Sequence, residues 1–372
     1  MMISANGSGP AAAQRAHQQP WWRAPVRPRA ATRPLAAVID SGFRLVLAVQ
    51  AVGNGHTPGR PRSLAALVRH GLLVASVPVA VEVILLASGS GVALRSPVAV
   101  MWVLILCAAN ALALAFGWRT WRLFSRAGPD LDTLLAGCPG RTQLVGWLVR
   151  ALSIRRQVAR SLFWAAVACL LLWLTQPAIK PQLEIGLVSY VSVGWTGAIG
   201  GNCLYWIVAL SEFGRRVLRQ RSLNLTWHSP ASTPGLTGLS DTFAALTIAV
   251  LAAFLLTEVL AVQASRYGPS AVLSTLANII PVASAVAALL AGIIPHGWLY
   301  LAVRDARRSA LVTVGALISQ QPPTSIRDID RMHTAIDLYR LIETSPGLPF
   351  NTTAMIQYGA TVLGTLLAYL LG

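Results

Sequence analysis

Two glutamates, Glu82 and Glu258, lie inside long apolar stretches of the sequence. An ionisable side chain near the centre of a bilayer costs roughly 2.5 to 3.5 kcal/mol on insertion scales, so each position requires an explanation. The carboxyl group could bind a proton or a cation during transport, or a neutral carboxyl could donate a hydrogen bond to another helix and simply order a bundle. Pro78, four residues before Glu82, has no N–H and leaves the Val74 carbonyl without its usual helical partner.

Carboxamides also occur in the apolar stretches, at Asn110, Asn202 and Asn278. Each must find a hydrogen-bond partner within a bundle. Gly197 and Gly201 lie four residues apart just before Asn202, and this spacing of small residues favours close packing between helices. The alternative is an unwound stretch at Gly200, Gly201 and Asn202, whose backbone carbonyls would bind an ion as in the discontinuous helices of transporters.

Polar side chains near the C-terminus share a narrow arc of a helix. Successive helical residues are rotated by about 100°, which gives an arc of about 80° for this set. The set consists of Tyr358, Thr361, Thr365 and Tyr369. This face would line water in a channel and would contact a neighbouring helix in an ordinary bundle.

The sequence carries none of the common catalytic motifs. It has neither a His-Glu-x-x-His nor a Gly-x-Ser-x-Gly sequence. Lys180 is the only lysine and lies in no phosphate-binding or Schiff-base motif. The four cysteines include no Cys-x-x-Cys pair, which argues against a zinc site or a disulfide framework. We therefore expect that the protein is not an enzyme and that it binds no metal and no cofactor.

These residues are positioned by an apolar, all-α chain. Of its 372 residues 55% are hydrophobic and only 12% are charged, about half the charged fraction of a soluble domain. A bilayer core about 30 Å thick needs roughly 20 apolar residues per helix. We predict a polytopic helical bundle with about seven transmembrane helices, of which six form the bundle of residues 71–303. The predicted spans are 71–94, 97–118, 161–179, 185–212, 242–263, 272–303 and 353–371. The last is polar enough that an interfacial helix is an alternative.

The basic residues predict the orientation of the bundle. Residues 1–70, 119–160, 214–241 and 304–352 hold 27 of the 30 Lys and Arg residues, and the alternate connections hold only Arg95, Lys180 and Arg266. Because basic loops stay in the cytoplasm, the N-terminus is predicted to be cytoplasmic, in a bacterial cell membrane. This topology also explains the net charge of +17, so we expect no nucleic-acid partner. Anionic lipids of the inner leaflet are the expected partners, and a homo-oligomer is possible.

The predicted cytoplasmic parts differ in character. Residues 1–34 are expected to be a disordered basic tail, and residues 35–70 an amphipathic juxtamembrane segment. In the loop 119–160, residues 141–158 are predicted to form an amphipathic helix at the inner leaflet, with Leu144, Leu148 and Leu152 on its apolar side.

The segment 304–352 is predicted to be a helical hairpin that begins as a continuation of the sixth span. Pro322 and Pro323 interrupt it, and a second helix follows. The apolar face of that second helix is predicted to consist of Ile326, Ile329, Ile336 and Tyr339.

Two Pro-Gly-Leu sequences precede predicted spans. Thr233-Pro234-Gly235-Leu236 is predicted to form a tight turn with Gly235 at positive φ, after which Ser240 or Asp241 would cap the fifth span. The second motif is Pro346-Gly347-Leu348. This pair resembles uncharacterised polytopic membrane proteins of high-GC bacteria, and the resemblance implies no activity and no catalytic residues. The overall layout is similar to that of insect chemoreceptor channels.

The leading functional hypothesis is a transporter or channel for an ion or small solute that uses Glu82, Asn110 and Asn202. The alternative is a scaffold or receptor that presents the 304–352 hairpin and the basic loops to a cytoplasmic partner.

Overall fold

The computed structural model describes residues 34–39, 71–88, 97–179, 186–220, 223–267, 271–319 and 326–347. Side chains are described in these ranges except at residues 86, 97–99, 178–179, 252–285, 287–290, 317 and 319. Every element in these ranges is helical, and none of them contains a β-strand. The predicted all-α class is confirmed.

Eight α-helices follow one another in the described ranges. They are α1 Val77–Ala87, α2 Pro97–Leu134, α3 Arg141–Ala151, α4 Ile154–Ile179, α5 Leu187–Leu218, α6 Pro234–Tyr267, α7 Ala271–Ser319 and α8 Ile326–Thr344. Residues 35–39 and 71–75 are also helical, and Ser76 connects residues 71–75 to α1 through helical hydrogen bonds with Leu72 and Ala80. A short 3-10 helix, Pro230–Ser232, precedes α6.

In the described part of the chain, four helices are long and apolar enough to cross a membrane, which indicates a membrane protein. They contain the stretches Val100–Leu134, Ile154–Pro177, Leu187–Leu218 and Pro234–Leu251, which overlap the second to fifth predicted spans. The first predicted span contains α1, and the sixth lies within α7. The seventh, 353–371, lies outside the described residues. The number of seven spans and the side of the N-terminus stay predictions.

The largest cluster of buried apolar side chains in the described ranges lies at one end of the bundle, where α2 and α5 end and α4 and α6 begin. We call it the basic end because of the arginines there: Arg119, Arg122, Arg126, Arg155, Arg156, Arg215 and Arg216. Aromatic side chains pack edge to face across it, with ring centroids 4.8 Å apart for Trp121 and Trp206 and 5.2 Å apart for Phe124 and Phe213. Such pairs contribute about 0.5–1.5 kcal/mol each beyond burial alone.

The loop predicted at 119–160 is instead largely helical and part of this core. Helix α2 continues through Pro129 to Leu134 rather than ending at residue 118. Leu144 and Leu148 of α3 do share a face, but they are buried among the other side chains of the core rather than directed to a leaflet. The predicted helix 141–158 is also divided, because α3 ends at Ala151 and Ile154 begins α4.

The tight turn predicted at Thr233-Pro234-Gly235-Leu236 is wrong. Pro234 is the first residue of α6, where a missing N–H costs no helical hydrogen bond. Gly235 does not adopt positive φ, which among the described glycines occurs at Gly137 alone. A Cβ atom at Gly235 would lie 3.0 Å from the Asp130 carbonyl oxygen, so close packing on α2 explains this glycine. Ser240 and Asp241 consequently lie inside α6 rather than at its start.

The hairpin of α7 and α8 is antiparallel, with a small apolar cluster between the helices. Val314 of α7 is buried with Ala335 and Ile342 of α8. The predicted apolar face of α8 is only partly correct, because Ile326 and Ile329 are 81% and 42% exposed. Val314 packs with Ala335, so the start of α8, nine residues before Ala335, extends beyond Ser319, where α7 ends.

Candidate functional site

The candidate site is a polar seam where α1 packs against α2 and α5. Helix α1 buries one stripe, formed by Pro78 and Glu82 after Ala75 in the preceding helical turn, while it exposes Val83 and Ile84. The spacing of three and four residues in that stripe is the helical period, so Glu82 faces the neighbouring helices. We call this interface the α1–α2–α5 seam.

Glu82 is 1% exposed, and its Oε2 atom has no hydrogen-bond partner in the described part of the chain. A buried polar atom without a partner costs about 1–3 kcal/mol, and more if it is charged. Native structures contain few such atoms, and in a membrane helix they are a reason to infer function. The sequence prediction that Glu82 lies inside the bundle therefore agrees with its position in the structure.

Asn110 connects α2 to α5 inside the seam. Its side chain is 1% exposed, and its Nδ2 atom donates a hydrogen bond of 3.2 Å to Thr196 Oγ1. The Thr196 hydroxyl donates in turn to the Ser192 carbonyl oxygen at 3.0 Å. Asn110 Oδ1 and Ser192 Oγ are buried and have no partner among the described residues. Within the described residues, the seam thus holds three buried oxygen atoms without a hydrogen-bond partner, counting Glu82 Oε2.

The Val74 carbonyl, which Pro78 leaves without a helical donor, is satisfied by α5. The indole Nε1 of Trp195 donates a hydrogen bond of 3.0 Å to it. This bond compensates locally for the proline and fixes the helical turn before α1 against α5.

The hydrogen bonds also show how the polar groups are spaced. Trp195 and Thr196 bring Val74 and Asn110 to one level, and the Cys107 thiol lies beside the Val79 backbone. These contacts make α1 antiparallel to α2. Glu82 lies eight residues beyond Val74, about 12 Å along the helix at 1.5 Å per residue. The structure therefore places Glu82 and Asn110 in one seam at different depths.

The structure describes the other predicted site residues to different extents. Asn202 is half-buried in α5, and its Oδ1 atom is buried without a partner within the described ranges. Glu258 lies in α6 and Asn278 in α7, but their side chains are outside the described residues. Tyr358, Thr361 and Thr365 are outside them entirely.

The unwound stretch proposed at Gly200, Gly201 and Asn202 is wrong, because α5 is continuous from Leu187 to Leu218. Close packing on α4 explains the two spaced glycines instead. A Cβ atom at Gly197 would lie 2.4 Å from the Ala168 Cβ atom, and one at Gly201 would lie 2.1 Å from Trp164 Cγ.

Sequence reasoning missed Ser192 and Thr196 as members of the seam. They lie one helical turn apart on α5, so a polar i, i+4 stripe in an apolar run was the available signal. The described residues include no group of three or more His, Cys, Asp or Glu side chains arranged to hold a metal ion.

Comparisons with protein-family models, with curated proteins and with solved structures find no match to this chain. Its function must therefore be argued from the seam and from the charge distribution.

Proposed function

We propose that this chain is a membrane transport protein, a carrier or channel for an ion or small solute, and that the α1–α2–α5 seam is part of its pathway. The observation that carries the proposal is the buried Glu82 carboxyl group, whose Oε2 atom has no partner within the described ranges, on the face of α1 that meets two apolar helices. A purely structural carboxyl group would be expected to form a hydrogen bond across helices.

The chemistry of the seam suits a proton or a small hard cation. Oxygen atoms of carboxylates, carboxamides and hydroxyls are the ligands such cations prefer. Among the described residues Glu82 supplies the carboxyl group of the seam, and Asn110 and Ser192 supply neutral oxygens closer to the Trp195 level. In the proposal Glu82 takes up the proton or cation, and the neutral groups replace part of its hydration along the path.

The test is flux through the purified full-length protein reconstituted into liposomes. Proton and monovalent-cation uptake are followed with trapped pH-sensitive and cation-sensitive dyes. Glu82→Gln keeps the size of the side chain and removes its charge, and is expected to lower the initial flux about tenfold, the effect of losing 1.4 kcal/mol of interaction.

The matched control is Asp337→Asn, because Asp337 is exposed on α8 and forms no ion pair with a described residue. Its flux is expected to equal that of the parent protein. Absence of flux in the parent, or equal flux in the parent and Glu82→Gln, would reject the proposal.

The orientation belongs to the same proposal. With 27 of 30 basic residues in alternate segments, we infer that the basic end faces the cytoplasm of a bacterial cell and that the N-terminus lies on that side. Reporter fusions after residues 95 and 180 are expected to report the outer side of the membrane. Cytosolic reporter activity at both positions would reverse the assignment.

A second candidate function is the binding of a cytoplasmic protein by the hairpin. It is favoured by exposed apolar side chains on α8, namely Ile326, Ile329 and Leu341. A scaffold of this kind should show no flux and should lose a co-purifying partner when residues 320–345 are deleted. Deletion without loss of a partner would remove this candidate.

A further inference from the structure

The helices α3 and α4 carry positive charge without acidic residues. Residues 141–179 contain no Asp or Glu, and their arginines are Arg141, Arg150, Arg155, Arg156 and Arg160. Arg141 is paired with Asp132 at 2.9 Å. Arg155 and Arg156 are exposed in the first turn of α4 and form no ion pair with any residue that the structure describes. Their charge is therefore available to an external anion.

A third arginine is held in place beside them. The guanidinium carbon of Arg160 lies 3.5 Å from the ring centroid of Tyr205, and the Tyr205 hydroxyl donates a 3.0 Å hydrogen bond to the Ala151 carbonyl oxygen. Arg156 and Arg160 are four residues apart, so they lie on the same side of α4. The tyrosine thus positions one cation of the patch before any ligand binds.

Glu212 of α5 is a second acidic residue at the basic end, and it is already engaged. Its carboxylate accepts hydrogen bonds from Arg215 at 2.6 and 2.7 Å and from Arg216 at 2.7 Å. The Arg216 guanidinium also lies 4.9 Å from the ring centroid of Trp147. Glu212 is therefore used by its own helix rather than by α4.

Exposed apolar side chains follow the arginines directly along α4. Val158 is exposed, and Leu162 and Phe163 are 64% and 60% exposed. Leu162 lies seven residues after Arg155, about 10 Å along the helix axis. The surface thus changes from cationic to apolar over a distance comparable to the depth of a lipid headgroup region.

We propose that Arg155, Arg156 and Arg160 form a binding site for the headgroup of an anionic phospholipid, whose acyl chains lie along Leu162 and Phe163. A phospholipid is the ligand that presents a phosphate and a long apolar tail together. A nucleic acid or an acidic peptide would match the arginines but would leave the apolar side chains uncovered. The site lies apart from the α1–α2–α5 seam, and its test does not require transport activity.

The test is thermal unfolding of the purified full-length protein in a nonionic detergent, with increasing phosphatidylglycerol or phosphatidylcholine. Phosphatidylglycerol is expected to raise the melting temperature in a saturable way, and phosphatidylcholine is not. Since each arginine contributes through charge near the surface, R155Q/R156Q is expected to weaken the apparent phosphatidylglycerol affinity at least about tenfold. The double variant R155K/R156K keeps the charge and should retain most of the affinity.

The control is R327Q/R340Q, which removes two exposed arginines from α8 and should leave the phosphatidylglycerol response unchanged. Because Arg155 and Arg156 have no partners in the described structure, R155Q/R156Q should melt like the parent in lipid-free detergent. An equal phosphatidylglycerol response in R155Q/R156Q and in the parent would overturn the proposal. So would an equal rise in melting temperature on adding inorganic phosphate, which would identify a simple anion site.

Discussion

Asp132 of α2 and Arg141 of α3 form an ion pair of 2.9 Å that also holds a distant part of the chain. The same carboxylate accepts the backbone N–H of Leu35 at 3.0 Å and that of Ala36 at 3.4 Å. These are the first amides of the helical residues 35–39, and they have no acceptor within their own helix. Asp132 therefore caps a helix almost one hundred positions away and joins three elements of the basic end.

The first prediction concerns this cap. Asp132→Ala removes an ion pair and two charge-assisted hydrogen bonds from a partly buried position, so we expect the free energy of unfolding to fall by about 2 kcal/mol. Hydrogen exchange at residues 35–39 should accelerate by the factor that corresponds to this loss of free energy. Asp130→Ala is the control, because Asp130 is exposed and forms no ion pair with a described residue. Equal losses in the two variants would show that the cap contributes nothing specific.

The second prediction concerns the contact between α4 and α5. A Cβ atom at Gly201 would lie 2.1 Å from Trp164 Cγ, at the rigid base of a large side chain, whereas a Cβ atom at Gly200 would meet nothing within 4 Å. Gly201→Ala should therefore destabilise the protein by about 1–3 kcal/mol. Gly200→Ala should change stability by less than about 1 kcal/mol. Chemical denaturation in detergent measures both. If Gly201→Ala proved as mild as Gly200→Ala, the two helices would not be in direct contact there.

The sequence alone predicted those features that depend on a single segment of the chain. Apolar length predicted the helices α2, α4, α5 and α6, and the charge of Glu82 singled it out within an apolar run. The spacing of Gly197 and Gly201 predicted a close helix contact that the structure contains. In each case the property belongs to one segment, and the hydrophobic effect or a steric limit determines its outcome without reference to a partner.

The errors arose where one local pattern suits two structures. Pro-Gly after Thr233 is typical both of a tight turn and of the first turn of a helix, and only the packing of Gly235 on α2 favours the helix. Leu144 and Leu148 define an apolar stripe, but the stripe does not reveal whether lipid or protein covers it. The donor for Val74 could not be found either, because Trp195 lies 121 residues away in the sequence.

The third prediction concerns the pair Asn110 and Thr196. Hydrogen bonds between membrane helices are worth about 0.6 kcal/mol on average in double-mutant cycles. The double variant Asn110→Ala/Thr196→Val should therefore lose less free energy of unfolding than the sum of the losses in the two single variants. The difference should be about 0.6 kcal/mol. Thr175→Val is the control partner, because the Thr175 hydroxyl donates within its own helix to the Leu171 carbonyl oxygen. Strict additivity for Asn110 and Thr196 would argue against a bond between them.

The last prediction tests whether Trp195 compensates for Pro78. In the parent protein, Trp195→Phe removes the donor to the Val74 carbonyl and should lower the free energy of unfolding by about 1 kcal/mol. In the Pro78→Ala background, the new amide at residue 78 can donate to that carbonyl from within the helix. The cost of Trp195→Phe should then fall to less than half. An unchanged cost would mean that the indole stabilises the seam by packing rather than through its hydrogen bond to the Val74 carbonyl.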